Sequence, residues 1–404
     1  MTTLAQVALL LTLLAEPLLA LAADLRAHLR ARRGAALHGP APVPVADLTV
    51  VVPVRGDVHE LEMLEDLRDE GERVLLVATA AHPSAYLRRL WSTAGRHGFR
   101  VHLVGAARRS GGATHDGTSR TGLLRAAHDV LTSGYVVVLD PGTSLARPPA
   151  QLVGELVAAG LDLATVTTDV PPHGVLARLQ GVEDALVARR RRRAPWLARG
   201  GAHVARRAVH GDLLRRHTCF GPGDEAELAV LAAARGLCVG HLDARALGRG
   251  TGRVRHWWAR RVVEAAGAFR LAVVNVHLAV RHPGLRLGPL VASFAAVPLL
   301  WWGVLRAPAA LAAGLLVHGL LSAVRTRSGP DVVVWLHPVH VLVRALVVLP
   351  LGVLVHLAVA VRTGRSGVLR VHDAWWADEI AREQVVRRLP GPGPARATDW
   401  WARR

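Results

Sequence analysis

Hydrophobic positions fall into two regimes along the chain. Leu4–Ala23 is apolar almost without a break, and residues 287–361 are apolar nearly throughout, interrupted at Arg306–Pro308 and Arg325–Asp331. A bilayer core of about 30 Å takes about 20 apolar residues in a helix. The first run therefore predicts one span and the C-terminal third about three. Between them the apolar runs are short and rich in β-branched residues: Leu48–Val54 (LTVVVPV), Arg73–Ala78, Arg100–Val104 and Tyr135–Leu139. Segments with helical spacing alternate with these runs: Val58–Glu70, with Leu61, Leu64 and Leu67 on one side, then Ser84–Gly95 and Gly122–Leu131. Strand and helix in alternation predict a doubly wound α/β domain around a parallel sheet. Such sheets bind ligands beyond the carboxyl ends of their strands, and Asp57 and Asp140 lie just past two of those ends.

The pattern changes after residue 150. Gln151–Ala159 and Leu176–Arg193 read as helices, the second ending in five consecutive arginines, and Leu163–Thr167 reads as a strand. Gly223–Gly236 predicts a helix whose first turn carries Asp224 and Glu225, acids that suit the positive end of the helix dipole. His256–Val280 is amphipathic, with Trp257, Trp258, Arg260 and Arg261 among apolar residues, and suits the membrane interface. The chain thus divides into an anchor (1–24), a basic and Pro/Gly-rich linker (25–47), an α/β domain (48–252), an interfacial segment (253–284), C-terminal spans (285–361) and an Arg-rich tail (362–404).

Charge refines this picture. The formal net charge is +19, carried by arginine, while aromatic residues make up 4% of the chain. Nucleic-acid surfaces interleave basic residues with stacking aromatics; scattered arginines suit anionic lipid instead. Arg26, Arg30, Arg32 and Arg33 follow the first apolar run, which by the positive-inside rule places the middle domain in the cytoplasm of a multi-pass protein of the plasma membrane. The two cysteines, Cys219 and Cys238, have no metal-site spacing and are expected to be core thiols.

Four segments carry a resemblance: LTVVVPVRGD (48–57), YVVVLDPGTSL (135–145), the stretch from LQGVEDALVARRRRR to ARGGAHVARRAV (179–209), and FGPGDEAELAVLAAARGL (220–237). In order and spacing they resemble the processive family 2 glycosyltransferases, the membrane-embedded relatives of cellulose, chitin, hyaluronan and poly-N-acetylglucosamine synthases. The resemblance spans residues 48 to about 280 and the flanking apolar runs. It implies a GT-A-like nucleotide-sugar domain and inverting transfer of a sugar to a glycan or lipid-linked acceptor, assisted by Mg²⁺ or Mn²⁺. It implies donor binding by Pro53, Asp57, Asp140, Arg260 and Arg261, metal ligation by Asp140, a base at Asp224 or Glu225, and acceptor contacts from Trp257 and Trp258. An inverting transfer needs a carboxylate to take the acceptor hydroxyl's proton and a divalent cation on the leaving diphosphate. The chain departs from the family where the Asp-x-Asp pair reads Asp140-Pro141-Gly142 and where Gln-x-x-Arg-Trp reads Arg260-Arg-Val-Val-Glu264. The family's lysine after the third strand has no counterpart; His115 and Arg120 are nearest its place. A non-catalytic membrane scaffold or accessory subunit of the same fold is the alternative reading.

Overall fold

A computed structural model of the chain describes residues 2–33, 43–54, 63–105, 120–169, 174–191, 201–217, 224–247, 254–282, 288–326, 331–362 and 386–387. They form two compact units: an α/β unit of Pro42–Thr168, Ala198–Gly248 and His372–Arg404, and a helical unit of Met1–Ala41, Asp169–Leu197 and Arg249–Val371.

The α/β unit is built on one mixed sheet. Its parallel half contains β1 (Leu48–Pro53), β2 (Val74–Thr79), β3 (Arg100–Val104) and β4 (Tyr135–Leu139), in the order β3-β2-β1-β4. Val50 pairs with Val74 on one side of β1 and with Val137 on the other. All six positions of β1 are buried, as expected of a parallel strand with both faces covered. A 3-10 helix (Met63–Arg73), α2 (Ser84–His97), α3 (Arg120–His128) and α4 (Pro149–Ala158) accompany these strands. Leu64 and Leu67 of the 3-10 helix and Tyr86, Leu90 and Ala94 of α2 join the core, spaced to cover one helical face.

Beyond β4 the sheet turns antiparallel, which the alternation of strands and helices did not predict. β7 (Ala202–Arg206) runs against β4 and against β6 (Leu163–Asp169). The short β5 (Ser144–Leu145) pairs with β8 (Val239–Leu247) at the far edge. Two helices lie between these strands in sequence, α6 (Arg207–Arg216) after β7 and α7 (Asp224–Ala234) before β8. The pairing of Leu139 with Ala202 sets the end of β4 beside the start of β7, and the candidate site lies there.

The helical unit contains α1 (Thr2–Arg33), α5 (Val175–Arg191), α8 (Val254–Val274), α9 (Val276–Arg281), α10 (Gly288–Ala295), α11 (Val297–Arg306), α12 (Pro308–Thr326), α13 (Val332–Val343), a π-helical turn (Arg344–Val348) and α14 (Leu349–Arg362). Among the described residues three helices are long and apolar enough to cross a membrane: Thr3–Arg26, Pro308–Thr326 and Val332–Ala358; Ser293–Arg306 is apolar but shorter. Small residues let the helices approach closely. A side chain at Gly303 would meet Leu9 Cβ at 2.9 Å, and one at Gly352 would meet Ala265 Cβ at 2.6 Å. Asp331 caps α13 by accepting from the Val333 amide at 3.0 Å.

Candidate functional site

Asp140 follows the last residue of β4, where Asp-Pro-Gly-Thr closes a tight turn. The Thr143 amide donates to the Asp140 carbonyl at 3.1 Å, and Gly142 takes φ +85°. Proline second and a left-handed glycine third are the requirements of a type II turn. The second acid of an Asp-x-Asp pair would fall on Gly142, where a side chain is strained. The missing carboxylate is therefore a consequence of this turn. The Asp140 amide also donates to the Gly201 carbonyl at 2.6 Å, which ties the turn to the start of β7.

Three charged side chains meet over this turn. Arg120, the first residue of α3, places Nε 2.5 Å from Asp140 Oδ1 and its Nη2 3.2 Å from Glu225 Oε1. The arginine side chain is 8% exposed, against 25% for Asp140 and 20% for Glu225. A buried guanidinium thus sits beneath two acids that reach solvent. Glu225 also lines a small pocket with Thr165, His203 and Leu228. Behind that pocket runs a file of histidines. His203 Nε2 lies 3.0 Å from His210 Nε2, and His210 Nδ1 lies 2.7 Å from His128 Nε2. Burial, and then the charges of Arg207 and Arg215, push His128 down to about 4; burial pushes His210 well below its ordinary value.

The start of β7 packs closely against the Asp140 turn. A Cβ at Gly201 would fall 2.6 Å from Thr143 Oγ1, 3.0 Å from Asp140 Cβ and 3.4 Å from Asp140 Oδ2, so glycine permits this close approach and sets a hydroxyl and a carboxylate oxygen near one another. Mg²⁺ and Mn²⁺ take oxygen donors, and Mg²⁺ is commonly held by one or two carboxylates plus substrate phosphates. Asp140 and Thr143 fit that chemistry. Among the described residues no group of three or more His, Cys, Asp or Glu could hold a metal ion.

The other residues singled out in the sequence fall elsewhere. Pro53 ends β1 and is buried, paired with Val77. Asp57 lies outside the described residues, as does the side chain of Asp224, whose backbone opens α7. Trp257, Trp258, Arg260 and Arg261 all belong to α8 of the helical unit. Arg261 is buried and donates to Glu183 of α5 and, at 3.1 Å, to Glu264. Glu183 also accepts from His340 at 2.7 Å. Burial alone pushes the Glu183 carboxyl up, but the His340 hydrogen bond and the Arg261 charge outweigh it and hold the group below the carboxylate range. Trp257 is buried in the same cluster, its ring 5.2 Å from that of His340 and 5.5 Å from the Arg261 guanidinium. Arg260 is about half exposed and makes a helical pair with Glu264 at 3.0 Å. Cys238 is exposed rather than a core thiol, because it falls in the turn between α7 and β8; Cys219 lies outside the described residues.

Gly201, Thr143, His203 and Glu183 lie within the segments that carry the resemblance, but the sequence reading gave them no role. Gly201 and Thr143 carry a signal only once β4 and β7 are known to be neighbours, and Glu183 only once α5 is packed on α8.

No family model matches the chain, and no curated protein matches it in sequence. Among solved structures, the mannosyltransferase PcManGT from Pyrobaculum calidifontis, in complex with GDP-Man and Mn²⁺, is similar at 18% identity and a TM-score of 0.58, over 88% of this chain and 99% of that one. Glucosyl-3-phosphoglycerate synthase from Mycobacterium tuberculosis, in complex with Mn²⁺, UDP and glucosyl-3-phosphoglycerate, matches at 18% identity with a TM-score of 0.34, over 54% of this chain and 77% of that one; so low a score carries no weight here. At this identity the first likeness establishes the fold alone, a GT-A-like mixed α/β sheet.

Proposed function

We propose that the chain is a membrane-bound glycosyltransferase that moves a sugar from a nucleotide-sugar donor to a glycan or lipid-linked acceptor, with inversion and with help from Mg²⁺ or Mn²⁺. The observation that carries the reading is the meeting of Asp140, Arg120 and Glu225 past the carboxyl end of β4, where α/β sheets bind their ligands. The donor in the similar mannosyltransferase structure, GDP-Man, makes a GDP-sugar the first donor to try.

In this reading Asp140 and Thr143 hold the cation, and Arg120 lies within reach of the donor's diphosphate. The cation supplies charge neutralisation on the leaving diphosphate. Glu225 is the base that takes the proton of the acceptor hydroxyl, since it lines the pocket beside the turn. Asp224 is the other acid at this helix start, and neighbouring helical residues point about 100° apart, so one of the two serves. The helical unit anchors the protein through Thr3–Arg26, Pro308–Thr326 and Val332–Ala358, with the α/β unit on the cytoplasmic side where nucleotide sugars are made. Asp57 belongs with the nucleotide, and Trp257 and Trp258 with the acceptor or lipid.

A panel of nucleotide sugars, offered to the detergent-solubilised protein with Mn²⁺, tests the reading by release of nucleoside diphosphate. Glu225→Gln should lower turnover by about 10²–10⁴-fold with donor binding kept. Equal turnover in Glu225→Gln and Asp224→Asn relative to the parent removes α7 from the mechanism. The scaffold reading draws on one observation, that both available acids are already paired with Arg120, and binding without any turnover would favour it.

A further inference from the structure

We propose that Arg120 is a protein-borne cation of the donor site that exchanges its two carboxylate partners for the donor's diphosphate. In doing so it releases Asp140 to the metal and Glu225 to the acceptor. The inference rests on the donor-binding reading above and adds an order of events to it.

The geometry sets up a competition. Arg120 Nε occupies Asp140 Oδ1 at 2.5 Å, on the carboxylate that would hold the cation. Its Nη2 is 3.2 Å from Glu225 Oε1, on the carboxylate that would act as base. While both contacts stand, the cation has a rival for Asp140 and the base is masked. One guanidinium against two carboxylates leaves these three groups with a formal charge of −1, so the resting site repels a diphosphate until a cation enters. A guanidinium presents five N–H donors in a planar fork and binds phosphate oxygens in pairs. A diphosphate next to the turn therefore offers Arg120 stronger acceptors than a shared carboxylate. The two acids, not the arginine, are the solvent-reaching groups, so a cation or an acceptor meets them first. The base becomes available only once a donor is in place, which keeps an exposed carboxylate from meeting an acceptor in an empty site.

A merely structural arginine would, when replaced, weaken metal and nucleotide binding together. An exchanging arginine moves them in opposite directions. In Arg120→Gln, Mn²⁺ alone, followed by its electron paramagnetic resonance signal, should bind at least about threefold more tightly, since Asp140 loses a competitor. GDP in the presence of a chelator should bind about tenfold more weakly, the cost of one charged hydrogen-bonding partner. Because Arg120→Gln leaves two acids unpaired, Glu225→Gln serves as the second variant: it frees one arm of the guanidinium without removing it, and GDP alone should bind more tightly by about threefold or more. Arg120→Gln with weaker binding of both ligands, or with neither changed, overturns the proposal, as does Glu225→Gln with GDP affinity unchanged. A parent protein that binds neither Mn²⁺ nor GDP overturns the donor reading itself, a result distinct from parent binding that the variants leave untouched.

Discussion

The α/β unit and the helical unit each hold an arginine between two carboxylates, and the two clusters differ in what surrounds them. In the helical unit Arg261 and Glu183 are both 6% exposed, with His340 on the other oxygen of Glu183, while the second acid, Glu264, lies at the rim at 31% exposed. In the α/β unit the arginine is equally buried, but its two acids are 25% and 20% exposed. A closed cluster has no vacancy for a ligand, and its charges are bound to each other by the low dielectric around them. An open one keeps partners that solvent or substrate can replace. The contrast assigns Arg261 and Glu183 to holding α5, α8 and α13 together. On the proposed reading Arg120, Asp140 and Glu225 carry the chemistry, while Arg261, which the resemblance placed on the diphosphate, is engaged with Glu183 and Glu264.

The largest expected effect breaks the closed cluster. Glu183→Gln leaves Arg261 buried and undercompensated and should cost about 3–5 kcal/mol of stability. Glu225→Gln in the open cluster should cost less than about 1 kcal/mol. Denaturant or thermal unfolding in detergent compares the two directly. A similar loss at both positions would erase the distinction between them.

The histidine file gives a pH test of the α/β unit. His128 is held at about 4 in the folded chain, below its value of about 6.5 when unfolded. The unfolded chain thus binds more protons between those limits, and stability rises with pH across them. It is fully present above about pH 6.5 and falls by roughly 3 kcal/mol as the pH drops to about 4. Amide protection factors in α3 and α6, corrected for the intrinsic exchange rate at each pH, should fall as the pH drops through that window; protection that stays flat from pH 6.5 to 4 would mean the file is not buried and neutral.

At the small end stands Arg260. Its pair with Glu264 is surface-exposed, so Arg260→Ala should change stability by about 0.3–0.5 kcal/mol and leave GDP binding as it was. A clear loss of GDP affinity in this variant would move the donor site toward α8 and undo the assignment drawn from the comparison.

Much of the α/β fold was legible because it is local. β1, β2, β3 and β4 were visible as β-branched runs, and the Asp140 turn was visible in Asp-Pro-Gly, whose chemistry is written in three adjacent residues. β7, α6 and β8 were hidden, since Ala202–Leu247 mixes arginine and histidine into positions that the fold buries, among them His203, His210 and His217. The partners of the charged residues were illegible for a different reason. Arg261 meets Glu183 across 78 residues of chain, and the spacing of α8 carries no sign that its arginine is taken up by a distant acid. Of the about three C-terminal spans expected, two are long enough among the described residues, Pro308–Thr326 and Val332–Ala358, and Ser293–Arg306 is apolar but shorter.

The account depends most on Asp140 as the metal-holding acid of a nucleotide site. Calorimetric titration of GDP into the purified protein, with and without Mn²⁺, in the parent and in Asp140→Asn, addresses that claim with a single instrument. The account predicts Mn²⁺-dependent binding in the parent and its loss, by about tenfold or more, in a variant that remains folded. Equal Mn²⁺-dependent affinity in the two proteins, or a parent that does not bind GDP at all, would contradict it.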